Sequence, residues 1–278
     1  MSPHPAAGAR IDTIDPMTPR VVAVVPARMA SSRFPGKPMA LICGIPMIGH
    51  CYFRTAMAKT VAETWIATCD REIMDYAHSI GAKAVMTKPA HDRCTDRVAE
   101  AMLKIEAETG RRIDIVTLMQ GDEPMVVPQM IDDAVRLLLE DPSLSVASVI
   151  ADIPTDAEFD DPNTVKVVTG LNGRALFFSR EPIPTRQKGA CAAPRRRHVA
   201  IVPFRREALL RFNALPPGPL ETAEAIDMLR LLEHGDAVKM ALTKTRTLSV
   251  DTPEDLARVQ AAMAADRLVP LYAAAAAI

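Results

Sequence analysis

Arg28, Arg33 and Lys37 fall within the stretch PARMASSRFPGKP (residues 26–38), which holds no acidic residue and follows the apolar run Val21 to Val25. A strand that opens into a loop of small residues with three cations is built to meet an anion. Gly36 lets the backbone come close to a ligand, and the cations can neutralise a polyphosphate, a triphosphate being the natural candidate. The loop lacks the spacing G-x-x-x-x-G-K-[ST], which argues against a P-loop ATPase. Taken alone it also reads as solvated basic surface; the strand before it favours a site.

Two acidic positions complete the pattern. QGDEP, Gln120 to Pro124, ends the apolar segment IDIVTLM. A carboxylate at a strand's carboxyl end suits a hard metal ion, and Mg²⁺ accompanying a nucleotide takes one or two protein carboxylates. Asp122 is the better candidate there. In SVDTPEDL, Asp251 again ends an apolar segment, and Pro253 marks a helix start. An isolated Asp251 reads first as a helix cap; paired with Asp122 it reads as a second metal carboxylate.

The elements that must position these residues follow from periodicity. VVAVVP reads as a buried strand and PMIGHCYFRTAMAK as a helix; ETWIATCD, REIMDYAHSIG, AKAVMTK, CTDRVAEAMLKIEAETG and IDIVTLM continue the alternation. This predicts an α/β fold with a mostly parallel sheet, helices on both faces and ligands at the strands' carboxyl ends. After Pro142 the strand-like pieces LSVASVIADI, TVKVVTG, ALFFSR and HVAIVPFR predict an antiparallel lid or dimer subregion, with a hairpin at Asn172-Gly173. Residues 187–197, with Lys188 and Arg195 to Arg197 and no acid, predict an exposed basic loop. LETAEAIDMLRLLEHG and PEDLARVQAAMAADR read as helices on either side of a strand TRTLSV.

Composition bounds the function. With 33 basic and 34 acidic residues and 4% aromatics, the chain has neither a global positive field nor stacking surface for nucleic acid. Five dispersed cysteines, Cys43, Cys51, Cys69, Cys94 and Cys191, suggest reduced thiols in a cytoplasm rather than zinc ligands or disulfides. No apolar stretch approaches the roughly 20 residues that cross a bilayer, so no membrane partner is expected. Residues 1–19 are expected to be a disordered tail, 20–265 one domain, and 266–278 a C-terminal tail. His50, His78, His91 and His234 read as surface or helix-end residues, and the 15 methionines as core filler.

VVPARMASSRFPGKP, GIPMIGH, MQGDEP, NTVKVV, FSREPIP, LETAEAIDMLRLLEHG and VDTPEDL, in this order over residues 21–262, resemble the 3-deoxy-manno-octulosonate (Kdo) cytidylyltransferases, or CMP-Kdo synthetases. The resemblance implies a nucleotide-diphosphosugar-transferase (Rossmann-like) fold, a homodimer, and the use of CTP and Mg²⁺ to join CMP to an acidic sugar with release of pyrophosphate. It puts Arg28 and Lys37 on the phosphates, beside Arg33, and Asp122 and Asp251 on Mg²⁺. It puts Ala27, Thr95 and Arg97 near the cytosine, and Gln120, Arg180, His198 and Asp227 at the acceptor.

On the acceptor side the chain departs from the family pattern. Val202 stands for a Tyr and Asp227-Met228 for a Glu-Gln pair; in the cytosine loop, by contrast, Arg93-Cys94 stands for a Ser-Gly, which bears on selectivity for CTP. Val and Met cannot bind a sugar hydroxyl as Tyr and Gln do. With Gln120, Arg180 and His198 retained where the family binds the acceptor carboxylate, and the run Arg195 to Arg197 adding positive charge nearby in sequence, the replacements at Val202, Asp227 and Met228 predict a small anionic acceptor. A phosphonate such as phosphonoformate would fit, as in the cytidylyltransferases of phosphinothricin-type pathways. Kdo itself is the alternative, and an inactive nucleotide-binding regulatory protein is the rival of a different class.

Overall fold

The computed structural model describes residues 19–30, 34–186, 188 and 193–276. The apolar run after Arg20 forms β1 (Val21–Ala27), buried at every residue. Its side chains alternate between two cores, Val21 and Val25 in one and Val22 and Val24 in the other, as a strand covered on both faces requires. A short hairpin of β2 (Leu41–Ile42) and β3 (Ile45–Pro46) leads into α1 (Met47–Ala56). The alternation then runs β4 (Glu63–Thr68), α2 (Arg71–Ser79), β5 (Lys83–Met86), α3 (Cys94–Thr109), β6 (Ile115–Met119), α4 (Pro128–Glu140) and β7 (Val146–Asp152). Next come α5 (Asp156–Asp160), β8 (Lys166–Thr169), β9 (Ala175–Ser179), β10 (Arg196–Val199) and β11 (Ile201–Arg205). The chain closes with α6 (Arg206–Ala214), α7 (Pro219–Glu224), α8 (Met228–Glu233), β12 (Val238–Thr243), α9 (Pro253–Met263) and α10 (Ala273–Ala276).

Ten strands form one sheet in the order β5-β4-β1-β6-β11-β7-β10-β8-β9, with β12 paired to β7. Only β9, β10 and β11 run against the other seven, so the sheet is mainly parallel with an antiparallel insertion, as expected. Helices α1, α2, α4 and α9 cover one face and α3, α6 and α8 the other. On α3, Val98, Met102 and Ile105 recur at helical spacing and are fully buried; each such side chain stabilises the fold by about 1.5 to 3 kcal/mol. Gly110, in the left-handed region at φ 64°, ends that helix.

Five expectations need correction. Arg196 and Arg197 do not belong to an exposed loop but begin β10, paired with β7, and Arg197 is buried. The segment 220–235 is not one helix, because Ala225 adopts φ 52° and separates α7 from α8. TRTLSV is not a strand; the strand is Val238–Thr243, which pairs with β7 in parallel. His50 is neither a surface nor a helix-end residue but fully buried within α1. Residues 266–276, expected as a tail, fold back onto α1 with Tyr272 only 4% exposed. The hairpin at Asn172-Gly173 forms as β8 and β9, with Gly173 at φ 70°. The N-terminal tail to residue 18 and Gln187, Gly189, Ala190, Cys191 and Ala192 of the basic loop lie outside the described residues.

Candidate active site

A cleft of about 320 Å³ opens at the carboxyl ends of β1 and β6, beside the first turn of α3. Its walls include Ala27, Arg28, Lys37, Arg93, Arg97, Gln120 and Asp122. The sheet brings the two strand ends together, and glycine is required where they meet. A Cβ on Gly121 would lie 2.7 Å from the Pro26 carbonyl oxygen. The loop after β1 is closed by Gly36 N–H donating to Met29 O (3.0 Å), and the Asp70 carboxylate accepts from Met29 N–H (2.8 Å). Arg33 lies outside the described residues.

At the floor of the site, Lys37 Nζ lies 2.9 Å from Asp122 Oδ2 and 3.6 Å from Asp251 Oδ1, and donates to Val250 O (2.9 Å). Two carboxylates from segments 129 positions apart in sequence, 122 and 251, thus converge on one cation. Val250 N–H donates to Asp122 O (2.9 Å), which fastens the two segments to each other. Asp251 is not the cap of α9: Thr252 Oγ1 accepts from Asp255 N–H and the Asp255 carboxylate accepts from Thr252 N–H, a complete capping box. The cap of α9 therefore does not use the Asp251 carboxylate, which lies instead beside Lys37.

Glu123, next to this pair and 5% exposed, was not among the expected site residues. Burial pushes its pKa up to about 7, with Arg197 opposing and Asp122 and Asp251 reinforcing the shift. The folded state thus binds a proton that the unfolded chain loses near the ordinary value of 4.5. The stability this provides is fully present below that value and is lost as pH rises through 7. A shift of this size corresponds to roughly 3 kcal/mol. Glu123→Gln should therefore flatten the pH dependence of the urea-unfolding free energy between pH 4.5 and 7.5; an unchanged profile would show that Glu123 ionises normally.

Of the expected cytosine residues, Ala27 ends β1 in the cleft wall and Thr95 and Arg97 lie at the start of α3. Arg97 is 3% exposed and binds Thr87 Oγ1, Lys88 O (3.3 Å) and His91 O (3.4 Å), shaping the 87–92 loop that rims the cleft. Arg28 reaches the same loop at His91 O (3.3 Å). Thr95 is buried just behind the wall, its Oγ1 without a hydrogen-bond partner among the described residues. Gln120 Oε1 accepts from Cys94 Sγ (3.4 Å).

The acceptor residues are arranged less as a set of anion grips than expected. All three guanidinium nitrogens of Arg180 donate to main-chain carbonyls, Nε to Glu224 O (2.7 Å), Nη1 to Pro162 O (2.8 Å) and Nη2 to Ala225 O (3.2 Å). Arg180 thus completes the C-terminus of α7. His198 Nε2 lies 2.7 Å from Ser148 Oγ, and burial, with Arg197 beside it, pulls its pKa down to about 4. A neutral ring offers a lone pair to a hydroxyl rather than a charge to an anion. Arg195 and Arg196 pair with Asp156 and Asp152, and Arg197 donates to Thr247 O (2.8 Å). Val202 and Met228 are buried in one apolar cluster with Leu118 and Phe178.

Arg93, unassigned from the sequence beyond its departure from the family pattern, lines the cleft. It pairs with Glu221 (3.4 Å), which the buried Arg230 fixes through Nε to Oε2 (2.7 Å) and Nη2 to Oε1 (2.6 Å). Burial raises the pKa of Asp227 while Arg93 opposes that shift, placing the two within electrostatic reach.

The fold and this cleft define a nucleotidyltransferase, and similarity narrows the class. The profile of the family described as "Cytidylyltransferase" matches residues 22–245. A 3-deoxy-manno-octulosonate cytidylyltransferase from Geotalea uraniireducens (strain Rf4) is 40% identical over 250 residues, covering 86% of this chain and 97% of the relative. One from Anaeromyxobacter sp. (strain Fw109-5) is 42% identical over 246 residues, covering 88% and 98%. A solved structure of CMP:2-keto-3-deoxy-manno-octonic acid synthetase complexed with CTP superposes with a TM-score of 0.81 at 40% identity, covering 88% of this chain and 98% of that one. The chain belongs to the CMP-Kdo synthetase family of cytidylyltransferases and is a CTP-dependent nucleotidyltransferase.

Proposed function

We propose that the protein transfers CMP from CTP to 3-deoxy-manno-octulosonate, with Mg²⁺ and release of pyrophosphate. The observation that carries this reading is the convergence of Asp122 and Asp251 on the Lys37 ammonium beneath the cleft. A site where two carboxylates already hold one cation fits a divalent ion, and Asp122 and Asp251 would be its protein ligands. Bound there, the ion would supply positive charge to the triphosphate and to the leaving pyrophosphate.

The chain's own residues do the rest. Arg28 and Lys37 hold the phosphates, Arg97 and the 87–92 loop shape the base pocket, and Gln120 faces the acceptor. An acceptor oxygen attacks the α-phosphorus in line as the bond to the β-phosphate oxygen breaks. Positioning and charge stabilisation suffice, without a nucleophilic side chain.

For the acceptor, the neutral His198 ring and Asp227 suit sugar hydroxyls, and the occupied guanidiniums of Arg180 and Arg195 to Arg197 weigh against a compact dianion. The relatives' names support the same acceptor. A small phosphonate is the second reading, favoured by Arg93 in the cleft wall and by Val202 and Met228 in place of hydroxyl-binding side chains. The same proposal takes the enzyme to be cytoplasmic and homodimeric. Exposed Leu176 and Leu242 on β9 and β12 suit a subunit contact. Among the described residues no helix is long and apolar enough to cross a membrane.

Pyrophosphate release with CTP and Mg²⁺ should be fastest with Kdo in a panel that includes phosphonoformate and phosphonoacetate. Turnover of either phosphonate with none of Kdo would reverse the assignment.

A further inference from the structure

Residues 266–276 reach the back of the nucleotide site through the Tyr272 hydroxyl, with Asp266 pairing with Arg54 beside it. Tyr272, 4% exposed, stacks on Phe53 with ring centroids 5.5 Å apart. Its Oη lies 3.0 Å from Arg54 Nε and 2.7 Å from His50 Nδ1. Arg54, fully buried, also donates from Nη1 to Val126 O (3.3 Å) and pairs through Nη2 with Asp266 (2.7 Å). His50 Nε2 is 2.8 Å from Ile42 O.

The donors and acceptors of this group have one consistent assignment. Ile42 O can only accept, so His50 carries its proton on Nε2, and Nδ1 of the neutral ring must accept. Tyr272 O–H therefore donates to His50 Nδ1 while its oxygen accepts the Arg54 Nε–H. A protonated ring would leave the Tyr272 proton without an acceptor and place a second buried charge beside Arg54. Burial, the largest influence on His50, lowers its pKa in agreement.

The two ends of this relay stand behind the two halves of the cation site. Ile42 belongs to the hairpin that follows Lys37, tied to it through Ala40 N–H donating to Lys37 O (3.1 Å) and Met47 N–H donating to Ala40 O (2.9 Å). Val126 closes the turn that carries Asp122, its N–H donating to Glu123 O (3.1 Å). We propose that Tyr272 is a positioning residue for the nucleotide site, its hydroxyl coupling the Lys37 loop to the Asp122 loop. The C-terminal segment is then a clasp that holds the phosphate-side cation and the metal-side carboxylate in register, and the mobility of both loops depends on it.

The test uses the full chain with Tyr272→Phe, which keeps the ring and its stacking and removes the hydroxyl. CTP binding by calorimetry, with and without Mg²⁺ and without any acceptor, should show Kd raised about tenfold. Hydrogen exchange should quicken in 37–46 and 121–127 while α3 and the β8–β9 hairpin keep their protection. Because no acceptor is present, the outcome is independent of the acceptor assignment. A folded Tyr272→Phe protein with CTP affinity within twofold of wild type would overturn the proposal, as would exchange that quickens uniformly across the sheet.

A second variant, Tyr76→Phe, removes the bond from Tyr76 Oη to Ala276 O (3.0 Å) and loosens the clasp at its far end. It should quicken exchange in the same two loops to a smaller extent, and unchanged exchange there would also overturn the coupling. Leu271→Ala, at a position 68% exposed, should match wild type in every measurement. Loss of CTP affinity in this variant would show that the segment acts through bulk packing instead.

Discussion

Asn at position 122 or 251 should lower kcat/KM for CTP-dependent pyrophosphate release by about a thousandfold, and Asn at both positions should cost little more than either alone. Each change keeps the side chain's shape and removes one charge from the pair that converges on Lys37. A shared divalent ion supplies several kcal/mol of transition-state charge stabilisation, and roughly 4 kcal/mol at about 1.4 kcal/mol per tenfold gives the expected loss. Non-additivity is expected because either single change would disable the one ion proposed to be shared by the two carboxylates. The fold should survive, since the main-chain bond from Val250 N–H to Asp122 O and the Thr252–Asp255 capping box use other atoms. Glu254→Gln, exposed in the first turn of α9, serves as the control and should stay within about twofold on the usual scale of surface substitutions. Near-wild-type turnover by Asp251→Asn, or activity that persists in a chelator, would remove the metal assignment.

The parts of this site legible in the sequence are those that local pattern marks. β1 announces itself by five consecutive apolar residues, and Asp122 by its position just past the buried strand β6, so both ends of the cleft could be placed by the rule that ligands sit at strand carboxyl ends. What depended on distant partners was not legible. His50 looked like a polar residue near a helix end because its partner, Tyr272, lies 222 positions away. TRTLSV has the β-branched composition of a strand, yet Thr247 is used to hold Arg197 and Val250 to hold the Asp122 loop. The ladder position beside β7 is filled instead by Val238–Thr243. The break at Ala225 was hidden for a related reason. Nothing in its side chain favours φ 52°, and the turn is held by Arg180, which binds the carbonyls of Glu224 and Ala225 from another strand end. The same bonds withdraw Arg180 from the role of anion grip that its sequence position suggested.

Lys37→Met should act in opposite directions on two measurements. Catalysis should fall by about a hundredfold or more, because the ammonium is one of the charges that can meet the triphosphate as negative charge spreads in the transition state. Metal affinity in the absence of nucleotide should rise instead. In the free protein the ammonium lies 2.9 Å from Asp122 and 3.6 Å from Asp251, so a divalent ion must compete with Lys37 for both carboxylates. At such separations the attraction near a protein surface is about 4 kcal/mol before desolvation is subtracted, and a residual third of that corresponds to about tenfold in affinity. Removing the lysine also takes one positive charge from between the two carboxylates, which favours an ion that can bridge them. Titration of Mg²⁺ into nucleotide-free protein, followed by calorimetry or by the rise in unfolding temperature, should therefore show tighter binding in Lys37→Met than in wild type. Weaker binding in the variant would mean that the lysine and the metal do not share the two carboxylates, and the metal would then have to be sought away from the floor of the cleft.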